Sequence, residues 1–112
     1  MKILAGVDGT TLAGHFGHSE DFLIYTIEDK RISDRERITN PGHTETMNPP
    51  EFVATLGVDV VIGGTIGETA LNILREAGIE GFFGVTGEAD DAVEAYLRGE
   101  LENDEIASQT GC

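Results

Sequence analysis

The feature that most constrains the fold is a strand–helix–strand pattern between residues 58 and 85. VDVVIGG (58–64) is a continuous apolar run, which is typical of a strand buried on both faces of a parallel sheet. IEGFFGV (79–85) predicts a second short strand. Gly78 ends an intervening helix, whose apolar residues recur at helical spacing: Ile66, Ala70, Ile73, Leu74 and Ala77. Because a helix joins the two strands, we expect a right-handed crossover and an α/β fold.

The N-terminal half predicts three further strands that run antiparallel. KILAGVD (2–8) and FLIYTIED (22–29) are rich in apolar and β-branched residues, whereas RISDRERI (31–38) is mostly charged. Asp29 and Lys30 can form a tight turn between the last two strands. We therefore expect residues 31–38 to be an exposed edge strand that its charges protect from pairing.

Two more helices complete the predicted fold. NPPE (48–51) combines an Asx cap, a proline in the first turn and a carboxylate, which together indicate the start of a helix that ends at Gly57. EADDAVEAYLRG (88–99) predicts a helix with one apolar face that ends at Gly99. The order of elements predicts a three-layer, ribonuclease-H-like α/β fold, in which helices flank a mixed five-stranded sheet.

Length and charge limit the class of protein. A chain of 112 residues is expected to form one domain, here residues 1–101, followed by a flexible acidic tail at residues 102–112. Its 21 acidic and 7 basic residues give a formal charge of −14, which disfavours nucleic acid and anionic membranes as partners. No run approaches the roughly 20 apolar residues of a membrane-spanning helix, so we expect a cytoplasmic protein.

One candidate binding site is the glycine-rich turn GGTIGET (63–69). In open α/β sheets, ligands collect at the carboxyl ends of parallel strands, where this turn is expected to lie. Gly63 and Gly64 would let the backbone approach a bound group, and Thr65 with Glu68 forms a capping-box pattern. The unpaired amides and positive dipole end of the following helix favour an anion. A tight turn without a ligand explains the two glycines equally well.

A second candidate is the turn GHFGHSED, which follows the first strand. His15 and His18 could be metal ligands, hydrogen-bond donors to an anion, or turn residues without a ligand. Gly17 between them is expected to adopt an unusual backbone angle. A closed zinc site needs four ligands, and only the distant His43 and Cys112 could join the two histidines, so structural zinc is disfavoured.

Two other site chemistries have weaker support in the sequence. DGTT (8–11) is similar to the phosphate loop of actin-like and sugar-kinase folds, but it lacks the usual residue between aspartate and glycine. Nuclease-type catalysis needs several carboxylates around two metal ions. The candidates lie at separate strand ends: Asp8, Glu28 or Asp29, and Asp59. The sequence does not indicate a Ser-His-Asp or Cys-His arrangement either, so we expect no enzymatic activity.

Three segments taken together resemble a known family. They are GHFGHSEDFLIYTIED, LGVDVVIGGTIGETALNILREAGIEGFFGVTG and DDAVEAYLRGEL, within residues 2–101. In these segments the chain is similar to the dinitrogenase iron–molybdenum cofactor biosynthesis family, which includes NifX- and NafY-like carriers and the C-terminal domain of NifB. The resemblance implies a ribonuclease-H-like fold without a nuclease role.

The resemblance also implies non-catalytic binding and transfer of an anionic metal–sulfur cluster. The cluster would be of the iron–sulfur, iron–molybdenum cofactor precursor or thiomolybdate type, and the partners would be cluster-assembly or acceptor proteins. His15 corresponds to the motif histidine of the family. The cluster contacts expected from the resemblance and the two turns are His15, Phe16, Gly17, His18, Gly63, Gly64, Thr65 and Gly67. The expected metal ligands are His15, His18 and Cys112.

This chain departs from the family pattern in two respects. His18 stands where many relatives carry arginine, and Cys112 is the only cysteine, so each chain supplies at most one thiolate. We expect a monomer or a weak homodimer. A homodimer would supply two thiolates, one from each chain. A small regulatory or protein-interaction domain of the same fold is the alternative function, and a phosphate or nucleotide-binding module is a third. The sequence leaves the identity and destination of the cluster open.

Overall fold

The computed structural model describes residues 1–40 and 49–100. The described elements are the strands β1 (Lys2–Asp8), β2 (Thr11–Leu12), β3 (Asp21–Glu28), β4 (Arg31–Thr39), β5 (Val60–Ile62) and β6 (Glu80–Phe82), the helices α1 (Pro49–Ala54), α2 (Glu68–Glu76) and α3 (Ala89–Leu97), and a 3-10 turn at Phe16–His18. His43, Asn48, Cys112 and the predicted tail lie outside the described residues.

The strands form one mixed sheet in the order β4-β3-β1-β5-β6. β4, β3 and β1 are antiparallel, whereas β1, β5 and β6 are parallel. The predicted mixed sheet flanked by helices is confirmed. The described sheet has six strands rather than five, because Gly9 (φ 70°) turns the chain back and β2 pairs with the end of β1. A two-residue strand is too short to show a period in the sequence.

A tight turn joins β3 to β4. Asp29 and Lys30 both have positive φ, 52° and 61°, as the two central residues of a type I′ turn require. This turn pairs Glu28 with Arg31 at the end of the hairpin. β4 is the outer strand and exposes most of its side chains, which confirms the predicted charged edge strand.

Helices cover both faces of the sheet. Along β1, Ile3, Ala5 and Val7 pack in the apolar cluster beneath α3, and Leu4 packs in the cluster beneath α1 and α2. All four side chains are fully buried. β5 is also buried along its whole length, because it lies inside the sheet and is covered on both faces.

α2 begins later than its sequence pattern predicts. Its first residue is Glu68 and its N-cap is Gly67, which has no side-chain capping hydrogen bond. The predicted capping box of Thr65 and Glu68 is therefore wrong. The Thr65 hydroxyl instead donates to the carbonyl oxygen of Gly14 (3.0 Å), which belongs to a different loop. A long-range hydrogen bond thus uses the group that a local cap would have used.

The described helices are short and differ in detail from their predictions. The buried residues of α2 are Leu71 and Leu74, whereas Ile66 is buried ahead of the helix and Ala77 is exposed at its end. α1 ends at Ala54, before the predicted stop. None of the helices within residues 1–40 and 49–100 has the length and hydrophobicity to span a membrane.

A polar network attaches α3 to the sheet. The hydroxyl of the buried Tyr25 donates to a carboxylate oxygen of Asp90 (2.7 Å). Arg35 on β4 donates to both oxygens of the same carboxylate (3.1 and 3.0 Å) and lies 5.7 Å from the centre of the Tyr25 ring. The pKa of Asp90 is lowered, first by the hydrogen bond from Tyr25 and then by Arg35, while burial acts in the opposite direction.

Candidate functional site

The two candidate loops meet at the carboxyl ends of β1 and β5. His15 and Thr65 form an isolated parallel bridge between them. The amide of Phe16 donates to the carbonyl oxygen of Thr65 (2.9 Å), and the amide of Thr65 donates to that of Gly14 (2.9 Å). The Thr65 hydroxyl donates to the same Gly14 oxygen. Backbone hydrogen bonds therefore hold the histidine turn beside the glycine turn, as the sequence predicts.

The glycine pair permits this contact between the loops. A Cβ atom on Gly64 would overlap the carbonyl oxygens of Ala13 and Gly14, and one on Gly63 would lie 2.9 Å from the Phe16 ring. Both glycines are buried. We expected the missing side chains to make room for a bound group, but protein atoms of the histidine turn occupy that space. The backbone of the pair is also engaged, because the Gly63 amide donates to the carbonyl oxygen of Phe82 (3.0 Å) and both glycine carbonyl oxygens accept from residues 84 and 85.

Phe16 anchors the histidine turn in the core. Its side chain is fully buried, stacked on Phe22 with ring centroids 5.5 Å apart and edge-on to Phe83 at 5.8 Å. Gly6 on β1 also makes room for this ring, since a Cβ there would lie 2.9 Å from it. Phe16 was predicted to contact the cluster, but its side chain lies in the core. It can act on a ligand only by positioning its neighbour, His15.

The 3-10 turn is fixed by two polar residues that the sequence analysis did not single out. The Ser19 hydroxyl, which is buried, donates to the carbonyl oxygen of Phe16 (2.9 Å). The Asn40 side-chain amide donates to the carbonyl oxygens of Ser19 (2.8 Å) and Gly17 (3.3 Å). Gly17 does not have the unusual positive φ that was predicted. Ser19 follows the histidine motif directly, so the sequence offered a local signal for its role in the turn. It offered none for Asn40, which lies beyond β4 and reaches the turn only through the fold.

The two histidines of the turn lie side by side at the surface. Their ring centroids are 4.7 Å apart, with an angle of 75° between the ring planes. Both residues are exposed. The pKa of His15 is lowered from 6.5, first by partial burial and then by the charge of His18. At neutral pH the His15 ring is therefore mainly neutral, and one ring nitrogen has a lone pair for a metal ion.

α2 starts close to Thr65, because its N-cap is Gly67, two residues further along the chain. The amide of Leu71 donates to the carbonyl oxygen of Gly67 as the first hydrogen bond of the helix, so the amides of residues 68–70 have no partner within it. The segments 12–17 and 60–67 contain no acidic and no basic side chain apart from His15. Acids stand directly beside these segments, because the exposed Glu68 is the first residue of α2 and the exposed Glu20 follows the histidine turn.

The described residues contain no complete metal site. No group of three or more His, Cys, Asp or Glu side chains in residues 1–40 and 49–100 is arranged to hold a metal ion. His15 and His18 can supply two nitrogen ligands at most. Cys112, the third predicted ligand, lies outside the described residues, so its place relative to the histidines stays a prediction.

The rival sites are not assembled in the described structure. Residues 8–11 form the hairpin turn between β1 and β2, and the Asp8 carboxylate accepts the amide hydrogen of Glu20 (2.9 Å). The segment continues into β2 and packs against the start of α3, where the Thr10 carbonyl oxygen accepts the amide hydrogen of Ala89 (3.0 Å) and so occupies one of the first helix amides. Asp59 accepts the amide hydrogen of Lys2 (2.9 Å) at the opposite end of β1 from Asp8. The carboxylates of Asp8 and Asp59, which a nuclease would bring together, therefore lie at opposite ends of β1.

The geometry described above agrees with the sequence relationships of the chain. The family model described as "Dinitrogenase iron-molybdenum cofactor" matches residues 1–99. The chain belongs to this family. The family relates to the biosynthesis and binding of the iron–molybdenum cofactor, so the predicted resemblance is confirmed.

Relatives of this family share the fold over nearly the whole chain. An uncharacterized protein of Methanocaldococcus jannaschii is 31% identical over 106 residues, which are 91% of this chain and 90% of the relative. The crystal structure of PH0822 is 25% identical with a TM-score of 0.82 and covers 93% of this chain and 95% of its own. The apo orange protein of Desulfovibrio gigas is 20% identical with a TM-score of 0.76 and covers 91% of both chains, so it supports the fold alone.

Proposed function

We propose that this protein is a non-catalytic carrier of an anionic metal–sulfur cluster. The cluster binds at the His15 edge, which we define as Gly14, His15, His18, Thr65 and Gly67. One observation carries the proposal: two exposed imidazoles stand 4.7 Å apart on a turn that is hydrogen-bonded to the loop leading into α2. Membership of the family supplies the class of cargo.

The chemistry of the His15 edge suits such a cargo. Imidazole nitrogen is a good ligand for iron and copper ions, and the neutral form of His15 is favoured at neutral pH. Sulfide atoms on the surface of a cluster accept hydrogen bonds, which the open amides at the start of α2 can donate. In this arrangement Phe16, Gly63 and Gly64 position the edge, and His15, His18 and the exposed backbone make the contacts.

The small number of ligands also suits a carrier. Two histidines from the described residues leave most of the coordination positions of a cluster to sulfide or exchangeable ligands. A carrier must release its cargo to an acceptor. When few protein side chains ligate the cluster, its transfer does not require a full set of metal–thiolate bonds to break. We propose that the imidazoles orient the cluster and that the helix amides balance its negative charge.

The test is an anaerobic titration with a reconstituted iron–sulfur cluster and, separately, with tetrathiomolybdate, followed by visible absorption. The wild-type protein should bind at least one of them saturably. His15→Ala should weaken binding at least tenfold, about 1.4 kcal/mol. The matched control is Ser33→Ala, which changes a neutral, exposed side chain beside Thr26, at the other end of β1 from the His15 edge, and should keep the wild-type affinity within about twofold.

Two outcomes contradict the proposal. Equal affinity of wild type, His15→Ala and Ser33→Ala would remove the imidazole from the site. Failure of the wild-type protein to bind either cluster saturably would remove the carrier function itself and leave the protein-interaction domain as the better hypothesis. Far-UV circular dichroism of each variant separates a loss of binding from a loss of folding.

A further inference from the structure

A second candidate site lies at the other end of the sheet. A cavity of about 400 Å³, here called the α3 cavity, is bounded by the β3–β4 turn, by β4 and by the end of α3. Four of the seven basic residues of the chain line it: Lys30, Arg31, Arg35 and Arg98. The remaining lining residues are the apolar Ile32 and Leu97 and one acid, Glu94.

The four cations do not have the same environment. Arg35 forms a bidentate ion pair with Asp90, and the Nε atom of Arg98 donates to Glu100 (2.7 Å). The side chains of Lys30 and Arg31 make no hydrogen bond or ion pair with the part of the chain that the structure describes. These two are exposed and are not held by a direct ion pair, although Glu94 lines the same cavity and Glu28 pairs with Arg31 in the hairpin.

Protection of an edge strand explains only part of this arrangement. β4 is an edge strand, and charges on such a strand prevent pairing with other chains. That reasoning accounts for Arg31. It does not account for Lys30, which comes from the type I′ turn, or for Arg98, which comes from the end of α3. Three separate elements bring cations to one cavity.

The cavity also has an apolar part. Ile32 and Leu97 are partly buried and pack against the apolar cluster beneath α3. A second cavity of about 490 Å³ shares Lys30 and Leu97 with the first, and the Tyr96 side chain also lines it. A ligand in this region would meet cationic groups on one side and apolar surface on the other. Cavities of these sizes lie in the range that binds small organic molecules.

We propose that the α3 cavity binds a small organic anion. The phosphate or carboxylate groups of the ligand face Lys30 and Arg31, and its apolar part lies on Ile32 and Leu97. This site is independent of the cluster proposal. The β3–β4 turn lies beside the start of β1, where Lys2 pairs with Thr26, whereas the His15 edge follows the end of β1.

The test uses the full chain with adenosine diphosphate, without divalent metal, as a probe that combines phosphates with an apolar ring system. Isothermal titration calorimetry should show saturable binding, and amide NMR shifts should change at residues 30–35 and 94–98. The double variant Lys30→Gln/Arg31→Gln should weaken binding at least tenfold, about 1.4 kcal/mol. Charge-assisted hydrogen bonds to phosphate are the interactions that this change removes.

A matched control separates the cavity from general electrostatics. Arg37→Gln/Arg75→Gln removes the same charge, and neither residue lines the α3 cavity. This variant should bind the probe within about threefold of wild type, since distant exposed charges are largely screened by salt. His15→Ala should also bind normally, so that failure of the cluster proposal and failure of this one are distinguishable.

Three results would overturn the inference. The first is the absence of saturable binding at probe concentrations up to about 10 mM. The second is equal weakening in the two double variants, which would show a non-specific effect of net charge. The third is a set of NMR shift changes confined to residues 14–18 and 64–68, which would place the anion at the His15 edge. Pyrophosphate should bind more weakly than adenosine diphosphate, and equal affinity would contradict the role of Ile32 and Leu97.

Discussion

The contact between the two loops of the His15 edge is tested by replacement of Gly64 with alanine. The added Cβ would overlap the carbonyl oxygens of Ala13 and Gly14, which are backbone atoms and cannot rotate away. Gly64 does not have a positive φ, so the effect is steric and not a matter of backbone strain. Overpacking of a buried position costs about 1–3 kcal/mol, and one lost backbone hydrogen bond between the loops adds about 1 kcal/mol. We therefore expect Gly64→Ala to be about 2–4 kcal/mol less stable than wild type.

The matched control is Gly14→Ala on the facing loop. A Cβ on Gly14 meets no atom within 4 Å, and this glycine does not have a positive φ either. Its replacement should leave stability unchanged or raise it by up to about 1 kcal/mol, since alanine restricts the unfolded chain. Urea unfolding followed by far-UV circular dichroism measures the free energy of unfolding of both variants. In thermal unfolding, Gly64→Ala should lower Tm by about 8 °C or more. If the two variants are equally stable, the loops are not locked as described, and the placement of His15 beside the glycine turn fails.

Two further predictions concern titration. The folded-state pKa of Asp90 lies below 3.8, chiefly because Tyr25 donates to its carboxylate, so the stability it contributes is present above that pH and is lost as the pH falls through the folded-state pKa. The urea-measured acid dependence of stability should therefore be shallower in Asp90→Asn than in the matched control Asp91→Asn, and equal slopes would contradict the network. His15 should titrate below pH 6.5 by NMR, and His18→Ala should raise its pKa, since a neighbouring cation is removed; an unchanged value would show that the rings do not interact.

The parts of the fold that the sequence predicted are those with local signals. The buried run of β5, the amphipathic helix α2 and the turn at Asp29 and Lys30 each depend on residues within a few positions of one another. Hydrophobic period and turn chemistry report such features directly. The family resemblance also predicts that the histidine turn and the glycine turn share one site.

The parts that the sequence did not predict depend on contacts between distant segments. The capping pattern of Thr65 was a valid local signal, but its hydroxyl bonds to Gly14, 51 residues away. The glycine pair suggested room for a ligand, whereas Phe16 and the loop around Gly14 fill that room. The α3 cavity joins Lys30 to Arg98 across most of the chain. Local propensity cannot report a hydrogen bond or a packing partner that the topology supplies.

The distribution of charge bears on whether an acidic protein could hold the anionic cargo that we propose. Two unit charges 10 Å apart in water interact by only about 0.4 kcal/mol, and salt with a screening length of about 8 Å reduces this further. A formal charge of −14 spread over the surface therefore matters less to a bound cluster than the groups within one screening length. At the His15 edge the two loop segments carry no acid and two imidazoles are exposed, and the start of α2 adds a positive dipole end that the carboxylate of Glu68 partly offsets. Repulsion by the rest of the surface then acts mainly on approach and release, while the local groups determine the affinity of the bound state.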